Sequence, residues 1–153
     1  MSYYFTYGTL MSGKERNYIM DYLAKNIGVF EIKGYKLYDY AANDELIGYQ
    51  NYPVAIYTGK EEDVIIGEVW ESNYDDMVDI LDKIEGYPTL YTRESVYIEK
   101  LDIKAVMYVG NIDSWGDCLN VEPFVVEYPS GVMWDYRRNS NKEMFEDIGS
   151  ENF

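Results

Sequence analysis

Residues 63–88, DVIIGEVWESNYDDMVDILDKIEGYP, decide the architecture, because the hydrophobic period changes once within them. Asp63 to Trp70 is dense in Val, Ile and Trp and predicts a strand. Gly67 inside it predicts a bulge or the close approach of another backbone. Met77, Ile80, Leu81 and Ile84 then recur at i, i+3, i+4 and i+7, which places them on one apolar stripe of a helix. Ser72 or Asn73 is expected to cap that helix, and Asp75 and Asp76 suit its positive N-terminal end. Gly86 is the natural residue just past its end, and Pro88 prevents continuation.

On the N-terminal side, Tyr3-Tyr4-Phe5-Thr6-Tyr7 reads as a strand stopped by Gly8. Ser12 and Gly13 precede a helix expected over 14–25, with Tyr18, Ile19, Tyr22 and Leu23 on one buried face. Segments 27–40 and 46–58 read as β, broken by Gly34, Gly48 and Pro53. On the C-terminal side, strands are expected at 93–101 and 103–109, the second being IKAVMYV. The 110–135 stretch reads as irregular. No repeat and no Ser/Gly or Pro-rich linker divides the chain. The expectation is a single domain over 1–135 with a polar tail over 136–153. Some seven strands and two or three helices, joined mostly by short turns, predict a small mixed α+β fold whose sheet curls into a barrel.

Composition removes whole classes of function. The 153 residues carry 13 basic and 28 acidic side chains, a net charge of −15, with no histidine and one cysteine. The length suits one domain, since domains run to roughly 100–150 residues. At 47% apolar the chain can bury a core. Without histidine there is no Ser-His-Asp or Cys-His catalytic set. Cys118 has no cysteine or histidine to share a zinc ion. Any general base must be a carboxylate, a tyrosine, a lysine or Cys118. Nucleic acid and anionic membranes need clustered Lys and Arg, and the longest basic run is Arg137-Arg138. Residues 1–11 lack the basic and apolar regions of a signal peptide, and no stretch reaches the roughly 18 apolar residues that span a bilayer. With no disulfide framework, a soluble cytoplasmic protein is expected. Nothing in the sequence assigns an oligomeric state.

Three groups of residues are candidates for chemistry. Tyr7-Gly8-Thr9-Leu10 ends a strand on a glycine turn before a helix, where successive N–H groups can form an anion-binding nest and Thr9 can add a hydroxyl. The alternative is an ordinary turn in which Gly8 only supplies its φ angle. Glu85 ends the Met77–Ile84 helix, at the edge of the core and at the negative end of the dipole. Both effects raise a carboxyl towards a pKa useful for proton transfer. The alternative is a solvated glutamate. Tyr91-Thr92-Arg93 offers a hydroxyl and a guanidinium fork for a carboxylate. Otherwise Tyr91 is a core residue and Arg93 pairs with an acid. Glu61-Glu62-Asp63 reads as a charged turn, and Asp75, Asp76 and Asp79 lack the spacing of an EF-hand. Cys118 has no basic neighbour in sequence to activate it. The 18 tyrosines read mainly as sheet filling.

Together these residues resemble the γ-glutamylcyclotransferase family, including its AIG2-like and γ-glutamylamine branches. The resemblance rests on Tyr7-Gly8-Thr9-Leu10, Gly67-Glu68-Val69-Trp70, Lys83-Ile84-Glu85-Gly86-Tyr87-Pro88, the Tyr91-Thr92-Arg93 triplet and Ala105-Val106-Met107-Tyr108-Val109, in that order over residues 3–109. It implies a small β-barrel with flanking helices. It also implies release of an amine from a γ-glutamyl amine or peptide, with formation of 5-oxoproline. By that pattern Tyr7 to Leu10 cradle the glutamyl portion through backbone groups and Glu85 is the acid/base. The substrate's own amine is the nucleophile, so this chemistry needs no metal and no cofactor. A small γ-glutamyl compound is the expected partner. The charge of −15 would favour a cationic leaving amine such as a lysine side chain or polyamine. The rival expectation is a non-catalytic binding or regulatory module, and a third is amidohydrolysis in the same pocket.

Overall fold

The computed structural model describes residues 1–8, 10–11, 17–44, 48–111, 119–120, 125–128 and 131–134. Their elements are β1 (Ser2–Thr6), α1 (Asn17–Leu23), β2 (Lys25–Lys33), β3 (Tyr35–Asp44), β4 (Gly48–Tyr57), β5 (Val64–Ser72), α2 (Met77–Glu85), β6 (Tyr91–Ile98), β7 (Ile103–Gly110), β8 (Leu119–Asn120), β9 (Val125–Tyr128) and β10 (Gly131–Trp134). The fold is mixed α+β, as the alternation of periods predicts.

The strand 63–70 of the opening stretch becomes β5, the axis of a seven-stranded sheet ordered β6-β7-β1-β5-β10-β9, with β2 on the other edge of β5. β1 runs antiparallel to β5, from Ser2 opposite Ser72 to Thr6 opposite Glu68, and parallel to β7 at Tyr4–Val106. β2 follows β5 from Lys25–Glu71 to Lys33–Val64. A second sheet, β4-β3-β8, is built on the long β3–β4 hairpin.

Alternation along β1 sends side chains to two cores. Phe5 and Tyr7 join Val69, Met107, Leu37 and Ala55 between the sheets. Tyr4 joins Trp70, Met20, Met77 and Leu81 beneath the two helices. Gly67 is a close approach rather than a bulge: a Cβ there would lie 2.3 Å from the Thr6 carbonyl oxygen and 2.7 Å from the Phe5 ring. The bulge lies on the partner strand, between Asn26 and Gly28 of β2.

Four expectations need correction. Among the described residues the sheets do not close into a barrel. The outward edge of β4, which would have to pair for closure, instead bonds side chains: its Ala55 N–H donates to the Tyr7 hydroxyl and its Pro53 carbonyl accepts from Tyr91. The α2 helix starts at Met77 with Asp76 in the cap position and no side-chain cap bond. Ser72 still belongs to β5; its hydroxyl donates to the Leu23 carbonyl and accepts from the Tyr74 N–H.

In α1 the buried residue is Met20, while Tyr18 is 70% and Tyr22 88% exposed. Each tyrosine is two positions from Met20, about 200° round the helix, so they form its outer side. Lastly, the 110–135 stretch contains the short strands β8, β9 and β10: β8 pairs with β3, β10 with β5, and β9 with the neighbouring β10. The 136–153 tail and Cys118 lie outside the described residues. Among the described residues no helix is long and apolar enough to cross a membrane, and no cluster of Cys, Asp and Glu is grouped to hold a metal ion.

Candidate functional site

The first candidate group begins where β1 ends. Tyr7 is buried, and its hydroxyl donates to the Tyr108 carbonyl at 2.7 Å while accepting from the Ala55 N–H at 3.1 Å. The phenol therefore ties β1 to β7 and β4, and the backbone after it is what the site can offer. Met11 N–H closes a turn onto the Gly8 carbonyl at 3.0 Å. Leu10 has its side chain buried in the core under the helices, and its carbonyl accepts from Asn17 at the start of α1. Thr9 lies outside the described residues.

Gly8 is not needed for its φ angle, since it is absent from the positive-φ glycines. It is needed for space: a Cβ would lie 2.7 Å from Cγ of Pro53. Pro53 sits on β4, opposite Asp39 of β3, at the outer edge of that sheet where a residue without an N–H is tolerated. Tyr91, buried at the start of β6, donates its hydroxyl to the Pro53 carbonyl at 2.8 Å. That bond uses the only proton of the hydroxyl.

Glu85 is the last residue of α2 and is half-buried. Gly86 follows in the left-handed region (φ 66°, ψ 38°), and Tyr87 N–H reaches back to the Asp82 carbonyl at 2.9 Å. This is the Schellman closure predicted from Gly86. It turns the chain sharply after Glu85, through a cis Tyr87–Pro88 bond.

Next to Glu85 stands a set of bonds centred on Asp82. Arg93 grips both carboxylate oxygens, Nε at 3.0 Å and Nη2 at 3.1 Å, and its guanidinium lies 4.2 Å over the Tyr87 ring. The Tyr108 hydroxyl donates to the same carboxylate at 2.5 Å. So Arg93 is paired with an acid and Tyr91 is a core residue with a structural bond. Burial pushes the Asp82 carboxyl up, but the bonds from Arg93 and Tyr108 and the Arg93 charge outweigh it and hold the group below its usual value.

The phenols nearest Glu85 behave differently. Burial drives Tyr7 far above the ordinary range for tyrosine; the Ala55 N–H offsets part of this and the Glu85 charge adds to it. Burial also drives Tyr108 up, helped by its bond to Asp82 and, to a smaller extent, by Glu85. Both phenols thus stay protonated at neutral pH. The Glu85 charge acts on both phenols, and the bonds from Tyr7 to the Tyr108 carbonyl and from the Tyr108 hydroxyl to Asp82 join the β1 end to the last turn of α2. The structure therefore brings together the Tyr7–Gly8 corner, Glu85 and Tyr91's partner Pro53.

Sequence reasoning missed Pro53, Tyr108 and Asp82. Pro53 had one signal, a proline in the middle of an otherwise β-forming run. Asp82 had another, an acid in the last turn of a helix where the dipole prefers a cation.

Comparison with known proteins adds the family. An AIG2-like protein from Mus musculus superposes with a TM-score of 0.62 at 22% identity, covering 91% of this chain and 98% of that one. An uncharacterised protein from Pyrococcus horikoshii superposes with a TM-score of 0.55 at 21% identity, covering 97% and 98%. A structure described as a gamma-glutamyl cyclotransferase gives 0.53 at 19% identity, covering 72% and 66%. These likenesses show a shared fold. No curated protein matches the sequence. The sequence profile described as Gamma-glutamyl cyclotransferase, AIG2-like, matches residues 4–123, and on that match the chain belongs to this family.

Proposed function

We propose that the protein is a γ-glutamyl cyclotransferase that releases an amine from a γ-glutamyl amine or peptide and forms 5-oxoproline, with Glu85 as general acid and base. The observation that carries this reading is the link between the two candidate groups: the Tyr7 hydroxyl donates to the Tyr108 carbonyl, and the Tyr108 hydroxyl donates to Asp82 in the last turn of the helix that Glu85 ends. Among the described residues the phenols at this corner stay protonated, so a carboxylate is the base this reading uses.

The chemistry balances with that single group. The substrate α-ammonium gives one proton to Glu85, and the freed nitrogen attacks the γ-carbonyl carbon. The new nitrogen–carbon bond forms as electrons move to the carbonyl oxygen. Backbone N–H groups of the turn after Tyr7 stabilise the negative charge there. As the oxygen charge returns, the bond to the departing amine breaks. Glu85 delivers its proton to that amine nitrogen. The ring nitrogen releases a second proton as it becomes the lactam N–H, and the free amine takes up one from water. Nucleophile and electrophile belong to one molecule, so holding the glutamyl chain folded supplies much of the rate.

The test is incubation with γ-glutamylalanine, Nε-(γ-glutamyl)lysine and γ-glutamylputrescine, followed by detection of 5-oxoproline. Glu85→Gln should lower the rate by about 10²-fold or more. Turnover that survives this substitution would remove Glu85 from the mechanism. Free glutamate in place of 5-oxoproline would identify an amidohydrolase. Binding of these compounds without turnover would identify a binding module.

A further inference from the structure

We propose that Asp82 is the positioning residue for Glu85: its carboxylate, held by Arg93 and Tyr108, locks the last turn of α2 against β6 and β7 and so aims the Glu85 carboxyl at the Tyr7–Gly8 corner. This rests on the function proposed above.

The geometry converges on Asp82 from both its side chain and its backbone. The side chain takes the fork of Arg93 from β6 and the hydroxyl of Tyr108 from β7. The main-chain carbonyl takes the Tyr87 N–H that closes the turn after Glu85. Arg93 lies over the ring of that same Tyr87, so the segment 82–87 is held at both ends. Tyr108 continues the chain of bonds, since its carbonyl accepts from the Tyr7 hydroxyl. The route from Asp82 to the Tyr7–Gly8 corner therefore runs through one residue.

The carboxylate is the more buried end of the pair. The Asp82 side chain is 17% exposed and the Arg93 side chain 35%. Two acids, Asp82 and Glu85, stand in the last turn of α2, at the end of the dipole that disfavours negative charge. The Arg93 fork and the Tyr108 hydroxyl offset that local cost, and they do so by tying the turn that carries Glu85 to β6 and β7.

The elements packed on the end of α2 present Tyr7 from β1, Tyr91 and Arg93 from β6, Tyr108 from β7, and Tyr87 from the turn; α2 itself adds Asp82 and the exposed Lys83. The phenols are neutral at pH 7, so among these groups Asp82 and Arg93 form the charged pair nearest the turn. Removing either charge leaves the other beside Glu85, with opposite signs.

The experiment uses the full chain with Asp82→Asn and Arg93→Gln. Each is followed by steady-state kinetics on whichever γ-glutamyl compound the wild type converts. The titration of the Glu85 side-chain carbon is followed in 13C-glutamate-labelled protein, assigned by its loss in Glu85→Gln. Asparagine keeps the shape of Asp82 but faces the Arg93 fork with an N–H where an acceptor is needed. The expected result for Asp82→Asn is a kcat lowered by about tenfold to 10²-fold with KM within about threefold, as for a displaced reacting group. The Glu85 titration midpoint should move to lower pH in Asp82→Asn and to higher pH in Arg93→Gln. The proposal is overturned if kcat of Asp82→Asn stays within about twofold of wild type. A wild type that makes no 5-oxoproline defeats the proposed function alone. The positioning role is then decided by the titration, and an unchanged Glu85 midpoint and shift in Asp82→Asn overturn it.

Discussion

Replacing Tyr7 by phenylalanine deletes one oxygen and breaks two buried bonds at once. The hydroxyl now donates to the Tyr108 carbonyl and accepts from the Ala55 N–H, while Tyr7, Tyr108 and Ala55 are all buried. A donor left without a partner in the interior costs about 1–3 kcal/mol, and this applies to Ala55 N–H. The Tyr108 carbonyl has a second lone pair, so its loss lies nearer the net worth of an ordinary bond, about 1 kcal/mol. The ring itself still fills its place. The sum is about 2–4 kcal/mol, a large share of a domain's typical 5–15 kcal/mol. At about 2–4 °C per kcal/mol for a chain of this length, the melting temperature should fall by roughly 10 °C. Urea unfolding followed by tryptophan fluorescence measures the free energy directly. Tyr91→Phe is the internal reference, since it removes the bond to the Pro53 carbonyl and should cost about 1 kcal/mol. A Tyr7→Phe loss below about 0.5 kcal/mol, with an unchanged m-value, would refute the view of this phenol as a tie between three strands.

Two further outcomes follow from the same geometry. Gly8→Ala places a Cβ 2.7 Å from Pro53 Cγ, and Pro53 is held from the other side by Tyr91, so the turn must shift. The expected cost is about 1–3 kcal/mol in urea unfolding, with a loss of 5-oxoproline formation at temperatures where the variant is fully folded. The Asp82 carboxyl is held below its usual value in the folded protein, so the unfolded state takes up its proton first as pH falls. Its contribution to stability is complete above the unfolded value of about 3.9 and is lost as pH drops through the folded value. Unfolding free energy measured from pH 6 to pH 2 should therefore fall more steeply in wild type than in Asp82→Asn; parallel curves would contradict this assignment.

The elements of this protein were legible where the signal is short-range. The stripe Met77, Ile80, Leu81 and Ile84 with Gly86 behind it predicts α2, and the helix ends as those residues require, with Met77 and Leu81 fully buried. The DVIIGEVW run predicts β5, and of the two readings of Gly67, a bulge or a close approach, the second holds, the neighbour being the Thr6 carbonyl. The face of α1 was misread because tyrosine counts as apolar in a periodicity pattern yet tolerates water at its hydroxyl end, as Tyr18 and Tyr22 do. The strands β8, β9 and β10 are too short to leave a pattern, and exist through the partners they find.

The site divides the same way. The sequence by itself determined that the chain has no histidine base, that Glu85 ends a helix at a left-handed glycine, and that a glycine corner follows β1. Those are properties of composition and of neighbours along the chain. Only the tertiary structure decided that Gly8 is required by Pro53, that the Tyr7 hydroxyl bonds β4 and β7 while that of Tyr91 bonds β4, and that Arg93 belongs to Asp82. The Tyr7 bonds join residues 101 and 48 positions apart and the Tyr91 bond residues 38 apart. No local pattern selects such partners among 18 tyrosines and 28 acids; the folding of β1, β4 and β7 into contact does.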